Sequence, residues 1–558
     1  KRPRKYLLTS KSVKRISDVK LIRTAQFAED SGPMAHQVRP DSYIEINNFY
    51  TLTVYYKGAE LIRMLYNLLG KDGYYKGMNL YFDRYDGQAV TTEDFVKSME
   101  DANSVDLQQF RLWYTQAGTP EITVKTEFDS ARSVFELTLE QKCPPTPDQN
   151  IKHPFHIPIE IGLLDSEGNE LPLYLEGGET EQGKHTMILN LKKSMETFRF
   201  SNISSRPVPS ILRNFSAPVK LISDIENEEL LFLMSSDSDE FNQWESAQLL
   251  MTRTILNCIE ESQQRQLTLK DWSNALPEKI QELIKAQKAV LENASLDKAF
   301  LVQVIALPTE SYLAEQMKVI DIEMIHVVRE VVKVTLAKAL REEFLSIYRS
   351  FHTTETYCFN AQSVGRRSLK NLALSFLMSL NDEESLKLCK SQFENANNMT
   401  DEISALALLA NRDYPYRNDA LKAFYSKWRK DPLVMNMWLS VQASSQLSQV
   451  DDIKRLMRHP VFEFKNPNKL RALIGTFCNA NLINFHVADG TGYYFLANQI
   501  IKLDKINSQI ASRLLAPFIQ WKRFDEKRGS LMKSQLERIV RIASLSKDVY
   551  EVVSKCLK

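Results

Sequence analysis

The hydrophobic period of this chain changes twice, and that double change limits its fold more than any other feature. Up to about residue 118 the apolar residues recur at the three-to-four spacing of a helix face. From Glu121 the period becomes two: Ile122 and Val124 alternate with Thr123 and Lys125, then Phe135, Leu137 and Leu139 with Glu136, Thr138 and Glu140. Ile157, Ile159, Ile161 and Leu163 follow, Asp165-Ser166-Glu167-Gly168 forms the turn to the next strand, and Phe198 and Phe200 continue the pattern. Short strands separated by turn chemistry predict a small antiparallel β-sandwich, closed by the proline-rich stretch Pro207 to Pro218. After about residue 223 helical spacing returns, as in the stripe Phe241, Trp244, Ala247, Met251, Ile255 and Cys258.

The predicted fold is therefore mainly α with a small β-sandwich, divided as residues 1–118, 119–222 and 223–558. In the first part Thr91-Thr92-Glu93-Asp94 is a capping-box-like helix start, and Ala117-Gly118-Thr119-Pro120 ends the helical pattern. In the last part Asn397-Asn398, Asp431-Pro432 and Asn466-Pro467-Asn468 punctuate the helices, and only Val461-Phe462-Glu463-Phe464 alternates. No fixed repeat length is visible, so an irregular stack of helical hairpins with a concave face is expected rather than a consensus solenoid.

A chain of 558 residues can bury several cores. Its 71 basic and 70 acidic residues leave a net charge of +1, which offers no electrostatic case for nucleic acid or an anionic membrane as a partner. No apolar run reaches membrane-spanning length. The basic start Lys1-Arg2-Pro3-Arg4-Lys5 is followed only by Tyr6-Leu7-Leu8, too short for the apolar core of a secretory signal. It reads as a solvated terminus, with an import signal or a nucleic-acid arm as alternatives. Six scattered cysteines without a C-x-x-C pair suit a reducing compartment, and a cytoplasmic setting is expected. The first residue is Lys rather than Met, which suggests a processed chain or a fragment.

The common catalytic signatures are missing from this sequence. There is no H-E-x-x-H to set two imidazoles around a metal, and no G-x-S-x-G elbow. His153-Pro-Phe-His156 is the closest histidine pair, but it lies in strand-like sequence without an acidic or thiol partner, so a structural or exposed pair is expected. Asp489-Gly490-Thr491-Gly492 lacks a Walker lysine and reads as a turn before a helix. Composition and spacing alone favour a helical interaction protein.

Residues 47 to 70 add a candidate site. Tyr50 and Tyr55 stand at the start of a helix whose apolar stripe is Val54, Ala59, Ile62, Leu65 and Leu68, with Gly70 as its stop. A phenol near the exposed end of a helix can donate a hydrogen bond to charge developing on a substrate oxygen. Two core tyrosines with satisfied hydroxyls fit the same spacing.

Thr24-Ala25-Gln26-Phe27-Ala28-Glu29-Asp30, Gly32-Pro33-Met34-Ala35-His36, Arg39-Pro40 and Ile46 through Tyr55 resemble the zinc aminopeptidase N family, in its bacterial alanyl aminopeptidase branch. The likeness continues through Asp86-Gly87-Gln88, Trp113-Tyr114, Ser216-Ala217-Pro218-Val219, Ala396 through Asp401, Asn466-Pro467-Asn468 and Ala511-Ser512-Arg513-Leu514. It implies the helical remainder of a thermolysin-like catalytic domain, an antiparallel β-sandwich and a large α-superhelical domain. It also implies a peptidase that removes N-terminal residues from short peptides and needs zinc. This chain carries no zinc ligands of that pattern, so the resemblance makes it part of an enzyme whose upstream catalytic half is its partner. By the same resemblance Tyr55 matches the tyrosine that stabilises the tetrahedral intermediate, and Asn47 and Tyr50 lie near the substrate pocket. Arg471 and Arg513 match arginines reaching into the chamber above the active site, where a guanidinium can pair with a peptide carboxylate. A helix-capping role for Asn47 and surface salt bridges for the two arginines are the structural alternatives. The alternative for the whole chain is a zinc-free peptide-binding or scaffold protein.

Overall fold

The computed structural model describes residues 10–177, 183–265, 276, 279–293, 295–352 and 356–558. The basic run Lys1 to Lys5 and the Tyr6-Leu7-Leu8 after it lie outside the described residues. The chain packs as two compact units. One is Arg15–Ala247, and the other is Gln248–Lys558 with the described residues up to Lys14.

The first unit opens with helices interrupted in an unusual way. The helix Lys11–Leu21 passes through a π-helical turn, Ile22–Gln26, into Phe27–Ser31 without leaving right-handed backbone geometry. A second π-helical turn, Thr53–Lys57, leads into the helix Gly58–Tyr85. Single π turns inside helices are rare and concentrate at functional sites. Gly70 breaks the long helix with φ +67° and ψ 171°, a conformation open almost only to glycine. The expected stop is therefore a kink, after which helical geometry resumes to Tyr85.

The stripe expected on this helix is out of phase. Ala59 is exposed and Ile62 only partly buried, while Thr53, Lys57, Glu60, Leu61, Met64 and Leu65 face inward. The cause is chemical. Lys57 and Glu60 are buried because each is ion-paired, and paired charges on a core face are invisible to a hydrophobicity pattern. Arg15 grips Glu60 with two bonds of 2.7 and 2.6 Å and also donates to the carbonyls of Asn214 (3.0 Å) and Phe215 (2.7 Å).

The next helix, Thr92–Asn103, has the capping box that its sequence predicts. Thr91 Oγ1 accepts the Asp94 amide, and Asp94 Oδ2 accepts the Thr91 amide at 2.8 Å. Trp113 then stacks on Phe155 with ring centroids 4.3 Å apart and donates its indole N–H to the His156 carbonyl at 2.9 Å.

Among the described residues seven strands form two sheets: β1 (Glu121–Asp129), β2 (Val134–Lys142), β3 (Ile157–Leu164), β4 (Met187–Leu191), β5 (Met195–Phe200), β6 (Val208–Ile211) and β7 (Lys220–Ser223). Their orders are β5-β2-β1-β7 and β4-β3-β6. Pairing is antiparallel except for β1 with β7, which run parallel. Ile122, Leu137, Leu139 and Phe200 of one sheet and Ile157, Ile159, Ile161 and Leu163 of the other are buried, as alternation predicts. β3 departs from alternation because both of its faces are covered, with only Glu160 partly exposed. The proline-rich stretch is partly strand: Pro209 lies in β6 at a sheet edge, where a missing amide donor is tolerated, and a 3-10 turn, Arg213–Phe215, follows.

The second unit is helical among its described residues. Asn360, Asp382, Asn398, Asp431, Asn466, Asn507 and Asp525 each accept first-turn amides as N-caps, so the turn signals of the sequence are helix starts. Its core includes Val332, Leu336, Phe344 and Phe376, the last two stacked with ring centroids 4.6 Å apart. The helix Glu240–Arg265 begins in the first unit and continues into the second, and its stripe Phe241, Trp244, Ala247, Met251, Ile255 and Cys258 is buried. Gly490 is the N-cap of Thr491–Asp504, so the Asp489–Gly492 stretch is a turn before a helix. No described helix is long and apolar enough to cross a membrane.

Candidate active site

Tyr55 is carried outward by the π-helical turn Thr53–Lys57. The turn is opened by Thr51, whose hydroxyl accepts the Val54 amide at 3.1 Å, and closed by the Gly58 amide bonding back to the Thr53 carbonyl. Tyr55 is 57% exposed and Tyr50 is 56% exposed, so neither is a core tyrosine. Their rings stack at 6.3 Å with 28° between planes. Phe49 sets its ring edge-on to both Tyr50 and Tyr43, which makes one exposed aromatic cluster. The Tyr55 hydroxyl has no hydrogen-bond partner among the described residues, so its proton is available to an incoming acceptor.

Beneath this cluster two adjacent carboxylates hold the turn. Glu29 Oε1 accepts both the amide and the hydroxyl of Thr53, at 2.8 and 2.6 Å. Asp30 takes the Lys57 ammonium at 2.7 Å, the Gly118 amide at 2.9 Å and the Thr119 hydroxyl at 3.0 Å. Burial alone works against the Asp30 charge, but Lys57 and the Gly118 and Thr119 donors outweigh it and hold the carboxyl below its ordinary range. Lys57 also donates to the Gly118 carbonyl at 2.8 Å and lies 5.8 Å from the Trp113 ring centroid. Gln26, at the end of the first π turn, reaches the Thr53 hydroxyl at 3.3 Å.

Asn47 sits in the 3-10 turn Ile46–Phe49, and Glu45 rather than Asn47 is its N-cap. The Asn47 side-chain amide donates to Glu45 Oε1 at 3.0 Å, so the capping role weighed for Asn47 belongs to its neighbour. Arg471 and Arg513 lie in the helical unit. Arg471 is exposed at the start of a third π-helical turn, Arg471–Gly475, and donates to Asn468 Oδ1 at 3.2 Å. Arg513 is exposed at the end of Ser508–Arg513. Among the described residues neither guanidinium is paired with a carboxylate.

Among the described residues no group of three or more His, Cys, Asp or Glu side chains is placed to hold a metal ion. Near Tyr55 Glu29 and Asp30 are engaged by Thr53 and Lys57, and His36 gives its Nδ1 to the Gln37 carbonyl at 2.6 Å; its Nε2, 3.9 Å from Glu29 Oε1 and unpartnered among the described residues, is a single imidazole and not a ligand set. These residues do not fit zinc. The His153–His156 pair is not a ligand pair either: His156 is buried with Nε2 at 2.8 Å from Asn190 Oδ1.

The chain matches three family models in succession. They are the peptidase family M1 domain over residues 8–114, the Ig-like domain of unknown function DUF3458 over 118–224, and its ARM-repeat companion DUF3458_C over 227–558. It is 41% identical over 554 residues to aminopeptidase N of Escherichia coli, covering 99% of this chain and 62% of that protein. The chain belongs to the aminopeptidase N family. Aminopeptidase N of Haemophilus influenzae is 40% identical over 98% of this chain and 61% of its own length. The crystal structure of Legionella pneumophila aminopeptidase A in complex with aspartic acid superposes with a TM-score of 0.82 at 30% identity, over 94% of this chain and 58% of that one. The chain thus spans about three fifths of the length of these aminopeptidases.

The sequence singles out Tyr55 as a candidate and gives no role to the residues beneath it. Glu29 and Asp30 stood inside the family-like motif without a role, and Lys57 stood in the inward register of the helix. A lysine at such a position was the available signal, since a buried ammonium requires an acid.

Proposed function

We propose that this chain forms part of a zinc-dependent aminopeptidase that removes N-terminal residues from short peptides, the zinc ligands being supplied by sequence outside these 558 residues. The observation that carries this reading is Tyr55, a phenol without a hydrogen-bond partner among the described residues, presented on a π-helical turn in a member of the aminopeptidase N family. In the proposed reaction water attacks the peptide carbonyl, and Tyr55 donates its hydroxyl hydrogen bond to the oxygen that gains charge. A neutral donor aimed at that oxygen favours the transition state over the bound substrate. Tyr50, stacked on Tyr55, and Asn47 are the proposed contacts to the substrate near its N-terminus. Arg471 and Arg513 are proposed to receive the peptide's C-terminal carboxylate, and the lack of an ion pair at either among the described residues supports that role. The proposed division of labour follows residues 1–118, 119–222 and 223–558, and the separated thiols support a reducing, cytoplasmic setting.

The test is Tyr55→Phe in the complete protein. A fall in kcat of about a hundredfold with little change in KM supports the reading, and an unchanged kcat ends it. A zinc-free peptide-binding scaffold is the second reading, favoured by the lack of a metal-binding group among the described residues. Substantial hydrolysis of an alanyl substrate by this chain alone with added zinc would sink that one.

A further inference from the structure

We propose that Glu29 and Asp30 are positioning residues for the Tyr55 phenol, acting through the two ends of the turn that carries it. The catalytic part of this inference rests on the reading of Tyr55 given above.

Thr53 and Lys57 lie four residues apart, so they share one face of the turn while Tyr55, midway between them, faces away. Both inward residues are buried, and each is held by one of two consecutive carboxylates on the helix Phe27–Ser31. Glu29 holds the leading end through two bonds to Thr53, and Asp30 holds the trailing end through Lys57. Gln26 adds a third tie from the other π turn, so the two rare turns are joined side chain to side chain. Among the described residues the phenol has no hydrogen bond of its own to orient it, and the stacked Tyr50 ring is as exposed as Tyr55 itself. Its direction is therefore set from below. Loss of either anchor frees the turn to shorten to α-helical bonding, which rotates one side of the helix against the other by about 100°.

The first measurement needs no activity. With 3-fluorotyrosine at position 55 of this chain, fluorine NMR reads the surroundings of that one ring. Glu29→Ala and the milder Thr53→Val are expected to shift or split the resonance by more than its linewidth, with the fold verified by circular dichroism. Glu29→Gln keeps an acceptor for Thr53 and is expected to restore the native signal. On the Asp30 side, Lys57→Met is expected to move the resonance as well. An unmoved resonance in folded Glu29→Ala and Thr53→Val chains overturns the proposal.

In the complete protein, Glu29→Ala is expected to lower kcat about tenfold with KM within about twofold, and Glu29→Gln to recover most of the loss. If Tyr55→Phe leaves kcat unchanged, the catalytic reading fails, and the fluorine signal still decides whether Glu29 and Asp30 orient the ring.

Discussion

Lys57 Nζ lies 2.7 Å from Asp30 Oδ2, with side-chain exposures of 1% and 0%. Two hydrogen bonds and a tryptophan face satisfy this ammonium, and two further donors satisfy the carboxylate. Such a pair is tolerated in a core only when both partners are saturated. It ties the turn of Tyr55 to the Gly118 loop that begins the sandwich.

Lys57→Met should destabilise the protein by about 3–5 kcal/mol, because Asp30 is left buried without its counter-charge. Removing both charges with Asp30→Leu should cost less than the single change. The depressed Asp30 carboxyl adds an acid limb: its contribution is present above the unfolded carboxylate value near 4 and is lost as pH falls toward the lower folded value. Urea unfolding between pH 2 and 6 checks both statements, and a native acid limb in Lys57→Met would refute the assignment.

Glu160 has the opposite sign. Burial first, and Asp239 second, push its carboxyl up to about 7, with Arg63 and Arg213 offsetting part of the effect. The folded protein keeps a proton here that the unfolded chain releases above its ordinary carboxylate range, near 4.3. The contribution is therefore complete below that range and is lost as pH rises through about 7. Glu160→Gln should raise the melting temperature at pH 8, by a stabilisation of at most about 4 kcal/mol, and leave it unchanged near pH 4. Equal melting curves at pH 8 would count against the buried, charged state.

Gly162→Ala should destabilise the sandwich, because the added methyl would overlap the Arg213 guanidinium. That guanidinium cannot easily yield: it donates to Ser210 at 2.9 Å, Glu170 at 2.6 Å, Thr186 at 2.8 Å and Asp237 at 3.0 Å. A cost of about 2 kcal/mol or more is expected, shrinking when Arg213→Met is already present. A double-mutant cycle of denaturation midpoints measures the coupling.

Gly70→Ala should cost about 1–3 kcal/mol through backbone geometry alone, since nothing lies within 4 Å of the added methyl. A thermal melt equal to wild type would show that the kink can relax into continuous helix.

Arg471→Met and Arg513→Met should leave the melting temperature nearly unchanged, because both side chains are exposed and neither holds an ion pair among the described residues. In the complete protein they should raise KM about three- to tenfold for peptides with a free C-terminal carboxylate and not for their amides. Equal effects on both substrate forms would remove the proposed contact.

Much of the architecture was legible because it depends on local periodicity. The alternation at Ile122–Val124 and Phe135–Leu139 became β1 and β2, and Asn398, Asp431 and Asn466 became helix caps. What was illegible depends on partners distant in sequence. The parallel pairing of β1 with β7 joins residues about a hundred positions apart, and no spacing rule announces it. The inward faces of the turn Thr53–Lys57 and the helix Gly58–Tyr85 carry the charges of Lys57 and Glu60, whose partners, Asp30 and Arg15, sit on other helices. At the site, family likeness pointed to Tyr55, but the π-helical geometry that turns it outward has no sequence signature of its own.

The proline in β6 has a consequence for how the folded molecule behaves in company. Leu163 gives its carbonyl to the Leu171 amide, on the side of β3 away from β6, so its partner Pro209 faces outward at the sheet's free edge. At that point the edge offers no N–H to a foreign strand. A neighbouring chain seeking to lengthen the sheet finds its ladder interrupted, which protects a concentrated solution of this protein against edge-to-edge aggregation.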